Sequence, residues 1–134
     1  MLSLLRNDAV GKLVLRLTVG GLMLFHGVAK LIHPDSLDFI RMGLSGLGLP
    51  ELLVYGVYVG EILAPLLLIV GVFSRWAGML IVVNMLFAIG LAHTGDLFAL
   101  TEHGGYRLEL QMFYLLGGLA VMFLGSGRYA IKPD

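Results

Sequence analysis

The chain has 134 residues, of which 58% are hydrophobic and 13% charged, with no cysteine and a formal net charge of zero. Ordinary soluble domains carry about 25% charged residues, so much of this chain's surface must face something other than water. The neutral balance argues against nucleic acid as a partner, and the lack of cysteine excludes disulfides and thiolate metal sites. No other metal site is indicated, and the length allows one domain.

Four apolar stretches follow one another along the chain and predict four membrane-spanning helices. They cover residues 13–32, 52–73, 76–93 and 108–124. A bilayer core of about 30 Å requires about 20 mostly apolar residues in a helix, and backbone groups in lipid must hydrogen-bond within their own segment. The predicted fold is therefore all-α, a single integral membrane four-helix bundle over residues 1–134.

Proline marks the end of one predicted span and an irregularity in another. Pro34 should end the first span, and Pro65 should kink the second, because proline cannot continue the helical hydrogen bonding.

The basic N-terminal side of the first span would suit a cleaved signal peptide. However, no small-x-small cleavage site follows its apolar run, so we expect the first span to be retained.

Charge in the connections predicts the orientation of the spans. The side that holds both ends of the chain and the turn at residues 74–75 carries five Lys and Arg residues, against three on the other side. Because short loops rich in Lys and Arg stay in the cytoplasm, we expect both termini to be cytoplasmic. The two long connections, residues 33–51 and 94–107, should then lie outside.

Several polar side chains lie inside the predicted spans, where each costs about 2.5–3.5 kcal/mol on insertion scales and usually serves a site or a pairing. In chain order they are Arg16, His26, Lys30, Glu61, Asn84, His93, Glu109 and Gln111.

Depth along the spans groups most of these residues in the outer half of the bundle. We therefore predict one cavity, open to the outer face, that binds a ligand through six side chains, with Arg16 lying apart from it. Arg16 and Lys30 can also reach toward the membrane surfaces, and His93 and Glu109 can simply end their helices near water. The six predicted site residues are His26, Lys30, Glu61, His93, Glu109 and Gln111.

Glu61 is the deepest of the six, about 13 Å below the outer end of its span. A carboxylate cannot reach water from that depth, so it must be protonated or paired. Three cations are available to it, on the first span. They are His26, Lys30 and Arg16, and we interpret Arg16 and Glu61 as residues with a structural or ion-pairing role.

The motifs that contain these residues resemble the DoxX family of small bacterial membrane proteins. The resemblance is carried by Phe25-His26-Gly27-Val28-Ala29-Lys30, by Gly48-Leu49-Pro50 and by Gly60-Glu61 with the later Pro65 and Gly71. It continues to Arg75 and Glu109 and covers nearly the whole chain. The resemblance implies a four-helix protein of the bacterial inner membrane. It also implies a link to redox chemistry, since family members are similar to the small membrane subunit of a thiosulfate:quinone oxidoreductase.

Four functions are compatible with the sequence. The first is a membrane subunit of a quinone-linked oxidoreductase system, with quinone or another small apolar ligand in the outer half and electrons supplied by a redox partner protein. The second is a scaffold that recruits redox or stress-response proteins without chemistry of its own. The third is a proton-coupled transporter that works as a homo-oligomer, with Glu61 as its carboxylate. The fourth is a haem site held by His26 and His93.

Overall fold

The computed structural model describes residues 2–134 and is helical over 75% of the chain. Within those residues, extended backbone pairs at a single isolated bridge, between Leu100 and Tyr106. The all-α class predicted from the sequence is therefore confirmed.

Five helical segments organise the fold, and we number them in chain order. A short helical turn, Leu2–Leu5, precedes them, and the Asn7 side chain caps the first by accepting a hydrogen bond from Val10 N at 3.1 Å. The segments are α1 (Asp8–Ile32), α2 (Asp38–Gly46), α3 (Glu51–Val70), α4 (Ser74–Ala92) and α5 (Glu109–Leu124).

Three stretches of helix are long and apolar enough to cross a bilayer, namely Leu2–Ile32, Glu51–Val70 and Ser74–Ala92. The chain is therefore a membrane protein whose apolar helices contact lipid. Helix α5 is apolar but has 16 residues, which corresponds to a length of about 24 Å.

The four longest segments contact one another in a ring, in which α1 and α4 each pack against both α3 and α5. Glycines make the closest of these contacts possible, as expected where helices pack in lipid. A Cβ atom at Gly118 would lie 2.9 Å from the carbonyl oxygen of Gly78, and one at Gly20 would lie 2.9 Å from that of Pro65. Buried apolar side chains such as Met23, Leu68, Ile81 and Val121 fill the space inside the ring.

Helix α3 is irregular in its middle. It starts as a 3₁₀ helix over Glu51–Tyr55, contains a π-helical turn over Val59–Leu63 and continues as an α-helix over Ala64–Val70. Pro65 explains the irregularity, because its ring has no N–H for the carbonyl of residue 61 and would clash with it in a regular helix. The distortion predicted for the second span therefore takes the form of a wider turn that contains Glu61.

Candidate functional site

A cavity of about 550 Å³ lies between α2, α3, α4 and the C-terminal end of α1. Most of its wall is apolar, and polar side chains meet it at a few points. Small-molecule sites commonly combine apolar walls with a few polar groups in this way. The apolar lining includes Phe39, Ile40, Leu53, Val57, Phe87 and Leu91, and the polar side chains are Lys30, Ser36, Glu61, Asn84 and His93.

Two of these polar side chains, Lys30 and Asn84, each bind a third, Glu61, and we call the three residues the polar floor. Lys30 Nζ pairs with Glu61 Oε1, and Asn84 Nδ2 donates a hydrogen bond of 2.9 Å to Glu61 Oε2. The Glu61 side chain is only 4% exposed, whereas that of Lys30 is 23% exposed. Both oxygens of a buried carboxylate are therefore satisfied, as burial of such a group requires.

The backbone around Glu61 holds the polar floor in place. Within the π-helical turn, Ala64 N donates to the carbonyl of Val59, five residues earlier. Gly27 on α1 approaches so closely that a Cβ atom there would overlap the backbone carbonyl of Glu61. The glycine thus brings Lys30, one turn later on α1, within reach of the Glu61 carboxylate.

The contact between α3 and α4 depends on a glycine in the same way. A Cβ atom at Gly60 would lie 2.6 Å from Asn84 Cγ, so a larger residue at position 60 would displace the asparagine. Because α3 and α4 run in opposite directions, Gly60 and Asn84 meet near the middle of both helices. This meeting point places the Asn84 amide against the Glu61 carboxylate.

His93 lies on the cavity wall at the C-terminal end of α4, away from the polar floor. It follows the last residue of α4, and its Nδ1 is 3.6 Å from Asp96 Oδ2, while Arg107 Nε is 3.7 Å from Asp96 Oδ1. This partly exposed charge cluster joins the two ends of the connection between α4 and α5. His93 therefore lines the cavity and also ends its helix, so it has both of the positions that the sequence analysis considered for it.

The other three predicted site residues lie outside the cavity. His26 is exposed on α1, and its ring meets that of Tyr114 on α5 edge to face, with 5.6 Å between centroids. Glu109 is exposed at the start of α5, and Gln111 is half-buried without lining the cavity. The structure thus brings together Lys30, Glu61 and His93, and leaves His26, Glu109 and Gln111 on the side of α1 and α5.

Asn84 is the main residue of the site that the sequence prediction left out. The signal for it was present, because it is a strongly polar residue in the middle of an apolar span, like Glu61. The wall contributed by α2 was also absent from the prediction, because only the four spans were considered as walls.

Arg16 lies apart from the cavity, near the opposite end of the helices, and is only 1% exposed. Its guanidinium donates to four backbone carbonyls rather than to a carboxylate, so Glu61 is paired with Lys30 and not with Arg16. The four acceptors are Leu68 at 2.9 Å, Ile69 at 3.3 Å, Ser126 at 3.0 Å and Tyr129 at 2.7 Å.

Comparison with known proteins gives two matches. The family model for DoxX matches residues 11–94, a range that contains every residue lining the cavity. An uncharacterized protein of Haemophilus influenzae is 36% identical over 121 residues, which cover 87% of this chain and 84% of the relative. No solved structure matches the chain at a significant level.

Proposed function

The chain belongs to the DoxX family, as its motifs predicted, and from this premise we propose that it binds a small, largely apolar ligand in the cavity between α2, α3 and α4. A quinone is the ligand class that fits best. Its ring carbonyls need hydrogen-bond donors, and its tail needs an apolar slot. The observation that carries the proposal is an apolar cavity of about 550 Å³ with Lys30 and Asn84 among its polar lining residues.

In this proposal the chain is a membrane subunit of a quinone-linked oxidoreductase system. The sequence contains no cysteine, and cysteine thiolates are the usual ligands of iron–sulfur clusters. Electrons would therefore reach a bound quinone from a redox partner protein. The part played by this chain is to bind the quinone ring and to exclude water from it.

A short-tailed quinone is expected to raise the melting temperature of the purified protein in detergent, because a ligand that binds only the folded state stabilises it by mass action. Ala88→Phe should abolish the shift, since Ala88 lines the cavity and the larger ring would fill it.

Ala29→Phe is the matched control, because Ala29 is exposed on α1 and does not line the cavity. This variant should keep the full shift. Absence of any shift in the parent protein would contradict quinone binding and favour the scaffold function. An equal shift in Ala88→Phe would place the ligand elsewhere.

We further propose four spans in the bacterial inner membrane, with both termini in the cytoplasm. Packing of α5 against α1 and α4 supports a fourth span, and the excess of Lys and Arg at the ends of the chain supports the orientation. A fluorescent cytoplasmic reporter fused after Asp134 should therefore be active, and an alkaline phosphatase fusion there inactive. The reverse pattern would contradict this topology.

A further inference from the structure

The polar floor carries no net charge. Lys30 and Glu61 form an ion pair, and Asn84, which completes the floor, is neutral. Separating such a pair away from water is expensive. A ligand with an anionic head would approach Lys30 only with the Glu61 carboxylate beside it, and a cationic head would meet the Lys30 ammonium. The floor therefore disfavours ligand heads of either charge.

The floor offers several hydrogen-bond donors to a ligand. An ammonium group has three N–H bonds and a primary amide has two. Within the described residues 2–134, one N–H of Lys30 and one of Asn84 are used, both by Glu61. Each oxygen of Glu61 accepts one of these bonds. Two N–H bonds of Lys30 and one of Asn84 therefore remain for a ligand, beside the Asn84 carbonyl oxygen.

Because the polar floor is buried, its donors distinguish ligands with hydrogen-bond acceptors from hydrocarbons. The Glu61 side chain is 4% exposed, and the walls around it are apolar. A ligand that covers the floor with a hydrocarbon surface would bury the remaining N–H groups without partners, at a cost comparable to a lost hydrogen bond. A ligand with a carbonyl oxygen at that point would satisfy them.

We propose that the polar floor selects an uncharged ligand whose head carries hydrogen-bond acceptors, such as a ring carbonyl, over hydrocarbons and over anions of the same shape. This inference rests on the proposed function and deepens it, because it assigns recognition of the ligand head to Lys30 and Asn84. The apolar walls then accept the rest of the molecule without further discrimination.

Three probes of similar shape test the selectivity. They are menadione, which is a methylated naphthoquinone, methylnaphthalene, which lacks the carbonyls, and naphthoate, which is anionic at neutral pH. Dissociation constants are measured by thermal-shift titration in one detergent. Menadione should bind the parent protein about five- to tenfold more tightly than methylnaphthalene, the effect of about one net hydrogen bond. Naphthoate should bind most weakly.

Asn84→Leu should reduce the preference for menadione over methylnaphthalene to about twofold, because it keeps the number and branching of the side-chain heavy atoms and removes the donors. Comparing the same two probes in both proteins cancels their partition into detergent. Thr18→Val, an exposed site outside the cavity, should keep the full preference. If Asn84→Leu fails to fold, the three probes on the parent protein decide the question alone.

Equal affinity of the parent protein for menadione and methylnaphthalene would overturn selection by the floor and leave ligand binding in the cavity intact. Tightest binding of naphthoate would overturn the neutral-head requirement. An unchanged preference in Asn84→Leu would show that the carbonyl is recognised elsewhere. If none of the probes binds, the proposed function itself fails, and this inference fails with it.

Discussion

Arg16→Met is expected to lower the free energy of unfolding by about 3–5 kcal/mol. Methionine matches the length of the buried stem but donates no hydrogen bonds, so the carbonyls of Leu68, Ile69, Ser126 and Tyr129 lose their partner. Unfolding by sodium dodecyl sulfate in mixed micelles measures the change.

The position of Arg16 explains why one side chain should matter this much. Leu68 and Ile69 lie in the last turn of α3, where unpaired carbonyls concentrate negative partial charge. Ser126 and Tyr129 lie after the end of α5, so the same guanidinium joins α1, α3 and the C-terminal segment. Arg6→Met, at an exposed position, is the matched control and should change stability little. A parent-like stability for Arg16→Met would contradict this role.

Glu61→Ala is expected to cost about 3–5 kcal/mol, because it leaves the Lys30 ammonium and the Asn84 amide without their shared partner in a largely apolar site. Glu61→Gln should cost less, since an amide oxygen still accepts a hydrogen bond. The same detergent unfolding experiment measures both variants.

The double variant Lys30→Met/Glu61→Leu separates pairing from packing. Replacing both members of a buried ion pair by apolar residues is often close to neutral, whereas removing one member is not. The double variant should therefore be more stable than Glu61→Ala. If Glu61→Ala and Glu61→Gln both unfold like the parent protein, the Lys30–Glu61 pair contributes nothing to the fold.

Hydrophobic runs predicted the helical class because a long apolar segment in lipid has few ways other than a helix to satisfy its backbone hydrogen bonds. The depth of Glu61 predicted that this carboxylate would need a partner, and Lys30 supplies it. Both inferences depend on composition and on position along one helix, which a sequence contains directly.

The rotation of each helix about its own axis could not be predicted from the sequence. His26 and Gln111 have the depth expected of site residues, yet neither lines the cavity. The His26 ring packs against Tyr114 of α5 instead. Depth alone cannot show which face of a helix lines the cavity. Asn84 shows the reverse case, because it was not among the predicted site residues, yet the close approach of Gly60 places its side chain beside Glu61.

The wall formed by α2 also depends on long-range packing. Phe39 and Ile40 belong to a connection between spans that the sequence could not place relative to α4. In the structure, Leu37 and Leu44 pack against Val54 and Val57 of α3 and bring α2 over the cavity. Contacts of this kind involve residues far apart in the chain, which no local pattern reveals.

Photolabelling with a short-tailed quinone that carries a diazirine tests the central claim most directly, because it reports where the ligand lies. Labelled peptides are identified by mass spectrometry, with excess unlabelled quinone as the competitor. We expect competed labels on α2 and α4, at residues such as Phe39, Phe87 and Leu91 that line the cavity. Competed labels around His26 and Gln111 on α1 and α5, or no competed label, would contradict a quinone site in this cavity.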